Sequence, residues 1–186
     1  GQPRRAVPPI TSAITLWEKA GDKKNLAIGL GNLANRNRDL GALSEAERNL
    51  RRSITLFREI NENYFEGTSH TVLGQALCYI GRWVDVEEEL NIGLELFQKE
   101  NQIQGQSVLW SYRALRFLLM TRDNLKSKTL APHASAGVVN LKSAIECAQR
   151  ALELADETAK TLYSHPRDYV RAYWLLGAAY RANNEL

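Results

Sequence analysis

Three histidines, two cysteines and two runs of like charge are the residues whose chemistry could exceed packing. His70, His133 and His165 lie far apart, and none stands at metal-ligand spacing from another His, Cys or carboxylate. Cys78 and Cys147 fall in separate helical stretches and make no metal spacing. The absence of a disulfide pattern suits a reducing compartment, which predicts a cytoplasmic protein. Glu87, Glu88 and Glu89 read as the solvated outward face of a helix. Arg48, Arg51, Arg52 and Arg58 form a basic patch without interleaved aromatics, so they are expected to face solvent or a protein partner, not nucleic acid. No Gly-rich phosphate loop occurs, because the glycines fall where helices turn. These residues point to no catalytic centre, no metal and no cofactor.

The elements that would hold such residues follow from composition and pattern. The chain has 186 residues, 44% hydrophobic and 24% charged, with a formal net charge of +3. That is ordinary for a globular protein, and too little charge to argue for nucleic acid or an anionic membrane. No apolar run approaches the ~20 residues of a membrane span. The longest candidate, 108–120, is interrupted by Arg113 and Arg116. Pro3, Arg4, Arg5, Pro8 and Pro9 occupy the place of a signal-peptide core.

One stretch recurs. Leu33, Leu40, Gly41, Ala46, Leu50, Ile54, Leu56 and Phe57 reappear 40 residues later as Leu73, Ile80, Gly81, Val86, Leu90, Leu94, Leu96 and Phe97. Moved back by 40, its second half matches Gly1, Ala6, Ile10, Ile14, Leu16 and Trp17. A period of this size marks a repeat protein in which each unit rests on its neighbours.

Apolar spacing predicts helices in succession. One follows Pro8-Pro9 and ends at Gly21-Asp22, since Pro is tolerated only in a first helical turn. Others cover about 23–40, 45–60, 64–80, 84–99 and 103–121, the third opened by a Ser44/Glu47 capping box. The pattern resumes through Ala144, Ala148, Ala151 and Leu154, and a last helix covers about 166–183. Ala151 plays the part of Gly93 but 58 residues on, so an inserted loop is expected over about 121–138. Arg113 departs from the pattern by standing where Leu33 and Leu73 stand. Counted as main elements, about seven helices are expected in an all-α fold with no sheet.

Leu73-Gly74, Leu77, Gly81, Val86, Leu90 and Gly93-Leu94, with Leu176-Gly177 and Tyr180, resemble the tetratricopeptide repeat (TPR). The 40-residue period and the Gly-Asp and Asn-Glu-Asn turns are similar to its long-repeat subclass. The tail from Trp174 to Leu186 looks most like the TPR sensor arms of bacterial signal-transduction ATPases of the STAND type. The resemblance implies a right-handed superhelical solenoid of antiparallel helix pairs. Its units would be 1–21 (second helix only), 22–61, 62–101, 102–163 and 164–186 (first helix only). A chain that begins and ends within a repeat is expected to be a fragment of a longer protein.

The resemblance also places the first helix of each pair on a concave inner face. It assigns Asn35, Arg38 and Asp39, then Thr71, Gln75 and Tyr79, then Ser111 to peptide binding there. In the subclass an Asn at the position of Asn35 holds a peptide main chain; Gln75 is its nearest equivalent in the next repeat, and Ala178 lacks it. An amide suits a peptide bond because it both donates and accepts. Gly31 stands where the carboxylate-clamping Lys of chaperone-tail TPRs would be, which excludes that clamp. Leu115 and Leu118 make the third unit's inner face apolar, to be covered by the inserted loop or by a partner segment. His70 would be an inter-helix packing residue, since the family places a large aromatic there. The expected function is therefore a protein-interaction module binding a peptide or protein segment, as the sensor or scaffold arm of a larger signalling protein. The alternative is a structural segment that self-associates through its exposed repeat ends.

Overall fold

The computed structural model describes residues 3–126, 134–161 and 163–183. Among them the protein is all-helical, with eight helices and not the expected seven: α1 Pro3–Ala20, α2 Lys23–Asp39, α3 Leu43–Glu59, α4 Asn63–Ile80, α5 Trp83–Lys99, α6 Ile103–Lys126, α7 Ala134–Thr161 and α8 Pro166–Asn183. No described helix is long and apolar enough to cross a membrane.

Five junctions share one geometry. The backbone enters the left-handed region at Gly21, Gly41, Asn61, Gly81 and Asn101, one residue in every 20. At each, the N–H of that residue reaches the carbonyl three back, and the next N–H reaches the carbonyl five back: Gly21 to Glu18 and Asp22 to Trp17, through to Asn101 to Gln98 and Gln102 to Phe97. This is a Schellman closure, which satisfies end carbonyls and needs Gly or Asn at its positive-φ position. It stops each helix and turns the chain back within two or three residues. The next helix starts at once: the Asp22 carboxylate accepts from the Asn25 N–H at 3.0 Å and opens α2.

Three local expectations fail. α1 runs through Pro8 and Pro9. Each proline removes one helical N–H, and the residues whose carbonyls lose it, Arg4 and Arg5, are exposed to water. The Ser44/Glu47 capping box does not form, because α3 starts two residues earlier than expected, with Ala42 at its cap. Glu47 is drawn instead to Arg51 and Arg82. Much of the expected loop is helix: α6 continues to Lys126 and α7 begins at Ala134, the remainder lying outside the described residues. Thr121 is buried in the extension and its hydroxyl donates to the Phe117 carbonyl at 2.9 Å.

Consecutive helices pack on each other all along the chain. In addition the backbones of α2 and α4, of α4 and α6, and of α6 and α8 come close, whereas those of α3 and α5, and of α5 and α7, stay farther apart among the described residues. The even-numbered helices thus form one continuous row. The main core runs along it from Ala34 and Leu50 through Leu73, Leu77, Leu90 and Leu109 to Ala148 and Leu175; Ile14, Leu26 and Leu30 form a smaller core at the α1 end. Small residues set the helix spacing. A Cβ on Gly105 would stand 2.7 Å from the Phe97 ring. The α6–α7 contact is lined by Ala144, Ala148, Ala151 and Ala155, close enough for the Ser107 hydroxyl to reach the Ala151 carbonyl at 2.8 Å.

Candidate functional site

The row of α2, α4, α6 and α8 carries two groups of polar side chains. Arg38 of α2 donates from Nη1 to the Gln75 Oε1 of α4 at 2.5 Å, and its Nη2 lies 3.1 Å from Asp39 Oδ1. Arg36 adds a second ion pair to Asp39 at 3.3 Å. Further along, the Arg171 guanidinium of α8 sits 5.5 Å from the ring centre of Tyr112 on α6. Asp168 is buried, accepting from Arg171 at 2.9 Å and from Gln104 at 2.8 Å. The two groups lie within electrostatic reach of each other. Burial pushes the Tyr112 hydroxyl up from its usual range, Arg171 and then Arg38 pull it back, and Tyr79 and Asp168 add to the rise.

The predicted peptide-binding residues divide. Arg38, Asp39 and Gln75 come together as one hydrogen-bonded group, and Tyr79 is 48% exposed beside it. Asn35 lies apart from that group, half-buried with Gly31, Asn32, Thr68 and Val72 around a cavity of about 190 Å³. Thr71 and Ser111 cannot meet a ligand as placed: both are buried, and their hydroxyls donate to the carbonyls of Gly67 and Ser107 one turn back. Leu115 also belongs to the core. A second cavity, of about 330 Å³, opens between α6 and α8 beside Gln104, Val108, His165, Asp168 and Arg171. The α8 contribution was invisible to a pattern built on α2, α4 and α6. Its signal was the 103-residue offset of Leu176 from Leu73, which carries Thr68 onto Arg171.

Charge on the odd-numbered helices is organised differently from a solvated surface. Glu89 is buried, and its carboxylate lies 2.5 Å from His70 Nδ1 and 3.3 Å from Arg51 Nη1. On its other side His70 faces Glu66 at 3.7 Å, and Arg58 holds Glu66 at 2.8 Å. Arg51 also binds Glu47, which binds Arg82, so one ladder of ions joins α3, α4 and α5. Glu87 pairs with Arg113 and Arg116 of α6; of the three glutamates only Glu88 is exposed. Most of the arginine patch is spent within the fold: Arg51, Arg52 and Arg58 pair with Glu89, Glu18 and Glu66. Arg113, which replaces a core leucine of the other units, lies against the Trp110 ring at 4.6 Å with its guanidinium tied to Glu87 and Asn91.

The arrangement can donate and accept hydrogen bonds along a row, and its two thiols are inert. Burial pushes Cys78 up to about 12 and Cys147 up to about 11, so neither is a thiolate at neutral pH. Among the described residues no three His, Cys, Asp or Glu side chains are placed to hold a metal ion. Compared with protein-family models and with curated proteins, the sequence matches none.

Proposed function

We propose that the protein is a peptide- or protein-binding module whose even-numbered helices line a concave groove. The first five helices, of near-equal length and turned at a fixed 20-residue interval, support the TPR-like solenoid that the sequence resembles. So does the backbone packing, in which α2, α4, α6 and α8 approach one another in series while the described odd-numbered helices stay farther apart and meet through long side chains such as Arg51 and Glu89. In such a stack the closer row is the inner side.

The observation that carries the reading is the Arg38–Gln75 bond between α2 and α4, with Tyr79 exposed beside it. Arg38 has five N–H donors and uses its hydrogen bonds on flexible neighbours, so a peptide carbonyl or carboxylate can exchange for them at small cost. Tyr79 supplies an amphipathic ring of the kind enriched at binding hot spots. Asn35 offers a donor and an acceptor to a peptide bond passing the adjacent cavity. On the resemblance to STAND-type sensor arms, the module would be the cytoplasmic sensor or scaffold arm of a larger, bacterial signalling protein.

The test is selection from a displayed random-peptide library, followed by calorimetry of the enriched peptides on the parent chain and two variants. Arg38→Ala and Asn35→Ala/Gln75→Ala should each weaken binding at least about tenfold, near the lower end for losing one charge-assisted hydrogen bond. Peptides that bind both variants as they bind the parent would place recognition elsewhere.

A further inference from the structure

The space between neighbouring odd-numbered helices is filled differently in two successive units. By the 40-residue period Trp110 of α6 stands where His70 stands on α4, Arg113 where Leu73 stands, and Asn91 of α5 where Arg51 stands on α3. By the 58-residue offset of α7, Cys147 stands where Glu89 stands on α5. Between α3 and α5 these positions form a bridge: Arg51 reaches Glu89 at 3.3 Å, and Glu89 holds His70 at 2.5 Å. Between α5 and α7 every member of that bridge is exchanged. Asn91 accepts from Arg113 of α6 instead, and the Cys147 thiol carries no charge at neutral pH with which to reach α5. A cavity of about 420 Å³ opens there, walled by α5, α6 and α7.

The cavity is charged with opposite sign at its floor and its rim. Trp110 and Phe117, both half-buried, give it apolar walls. Arg113 lies at the floor, only 9% exposed, with its guanidinium 4.6 Å from the centre of the Trp110 ring. Glu87 is shared between Arg113 at 3.3 Å and Arg116 at 3.2 Å, so two guanidiniums there face one carboxylate. The nitrogen of Arg113 that Glu87 and Asn91 hold is Nη2. Its Nε is, among the described residues, the one buried side-chain nitrogen or oxygen without a hydrogen-bond partner. A buried donor left unmade is costly, and native folds rarely keep one without a reason. At the α7 rim Arg150 is paired with Glu153 at 2.8 Å. Glu146 beside it is exposed and belongs to no ion pair among the described residues.

We propose that this cavity binds a free α-amino acid with a large apolar side chain. The ligand carboxylate accepts from Arg113, its ammonium pairs with Glu146 at the rim, and its side chain lies against Trp110 and Phe117. The volume falls within the range of about 300–1,000 Å³ of small-molecule sites, and apolar walls with a few convergent polar groups are their usual lining. Both ligand charges are needed. An anion alone would meet Glu146 unopposed, and a cation alone would meet the surplus of arginine at the floor. Neighbouring atoms cover Nε, so the guanidinium turns about its Nη2 corner to present Nε to the carboxylate. Trp110, Arg113 and Phe117 share one side of α6, and Gln104 and Val108 of the groove side share the other. The site therefore leaves the groove free and stands independently of the peptide-binding reading.

Ligand-observed saturation-transfer NMR on the 186-residue chain provides the test, with L-phenylalanine as the probe. The parent should bind it saturably, with a dissociation constant of about 1 mM or below, the scale that about a dozen non-hydrogen atoms support. 3-Phenylpropanoate, which lacks the ammonium, and 2-phenylethylamine, which lacks the carboxylate, should each bind at least about tenfold more weakly. Arg113→Leu installs the residue that the two preceding units carry as Leu33 and Leu73, so it should melt no lower than the parent while losing at least about tenfold in affinity for phenylalanine. Glu146→Gln alters an exposed side chain and leaves the fold intact. It should weaken phenylalanine by a similar factor and leave 3-phenylpropanoate no weaker than before. A parent that does not bind phenylalanine, an analogue that binds as tightly as phenylalanine, or either variant binding it as the parent does would each overturn the proposal.

Discussion

His70 Nδ1 lies 2.5 Å from the Glu89 carboxylate, tying α4 to α5 inside the fold. The pair does not stand alone, for Arg51 shares Glu89 while Arg58 and Glu66 close the other side of the ring. A buried carboxylate is tolerated only where such partners replace the water it loses.

Breaking this pair on one side should cost more than removing both partners. His70→Phe leaves Glu89 half-satisfied and should destabilise by about 2 kcal/mol; Glu89→Leu strands His70 and should cost about as much. The double variant, with an apolar pair in the same space, should recover more than about 2 kcal/mol of the summed loss. Urea denaturation of the four proteins measures the cycle, and strictly additive losses would mean that the two residues act separately.

Two glycines inside helices should respond to alanine with opposite sign. A Cβ on Gly31 finds only Ser53 Oγ at 3.8 Å, so Gly31→Ala should stabilise by about 0.5–1 kcal/mol through helix propensity. At Gly105 it would press on three atoms of the buried Phe97 ring at 2.7–2.8 Å. That overpacking should outweigh propensity and leave Gly105→Ala about 1–2 kcal/mol less stable. Thermal melting of both variants gives the comparison.

The two thiols supply a pH dependence with a definite sign. Folding raises Cys78 from about 9 to about 12 and Cys147 to about 11 by burying them. Between pH 9 and those values the unfolded chain ionises its thiols while the folded chain keeps its protons. Their stabilisation is therefore complete below pH 9 and is lost as pH rises through 11 to 12. The urea midpoint should fall more steeply above pH 9 in the parent than in Cys78→Ala/Cys147→Ala. At pH 8 an aromatic disulfide reagent should label neither cysteine faster than the protein unfolds.

Much of the fold was legible because it rests on short-range chemistry. Gly21, Gly41 and Gly81 announce their turns by type, and the Asn-Glu-Asn of 61–63 announces another through the tolerance of Asn for positive φ. What misled was charge. Glu89 sits in an acidic run, yet it falls three residues after Val86 and four before Gly93, on the buried face of α5. Periodicity marked it as inward; composition marked it as solvated; the His70 and Arg51 partners from other helices decided between them. The insertion failed for a related reason. Asp123, Asn124 and Lys126 read as loop, but hydrophobic residues of α6 such as Phe117, Leu118 and Leu119 pack against the core ahead of them and the helix simply continues. Of the site, the group of Arg38, Asp39 and Gln75 was readable from position in the repeat, while the burial of Thr71 and Ser111 depended on how closely the next helix approaches at Gly93 and Ala151.

The five identical helix closures carry a consequence for how this chain can change length. Because residues 41, 61, 81 and 101 all leave their helices by the same pair of hydrogen bonds, a cut after one and a splice after another two steps away recreates a junction already present. Joining Gly41 to Arg82, for instance, places the residue that follows Gly81 behind an equivalent glycine of the same backbone conformation. Forty-residue blocks are thereby interchangeable at their joints, and the number of blocks is free to drift by duplication or excision without any new turn having to be invented.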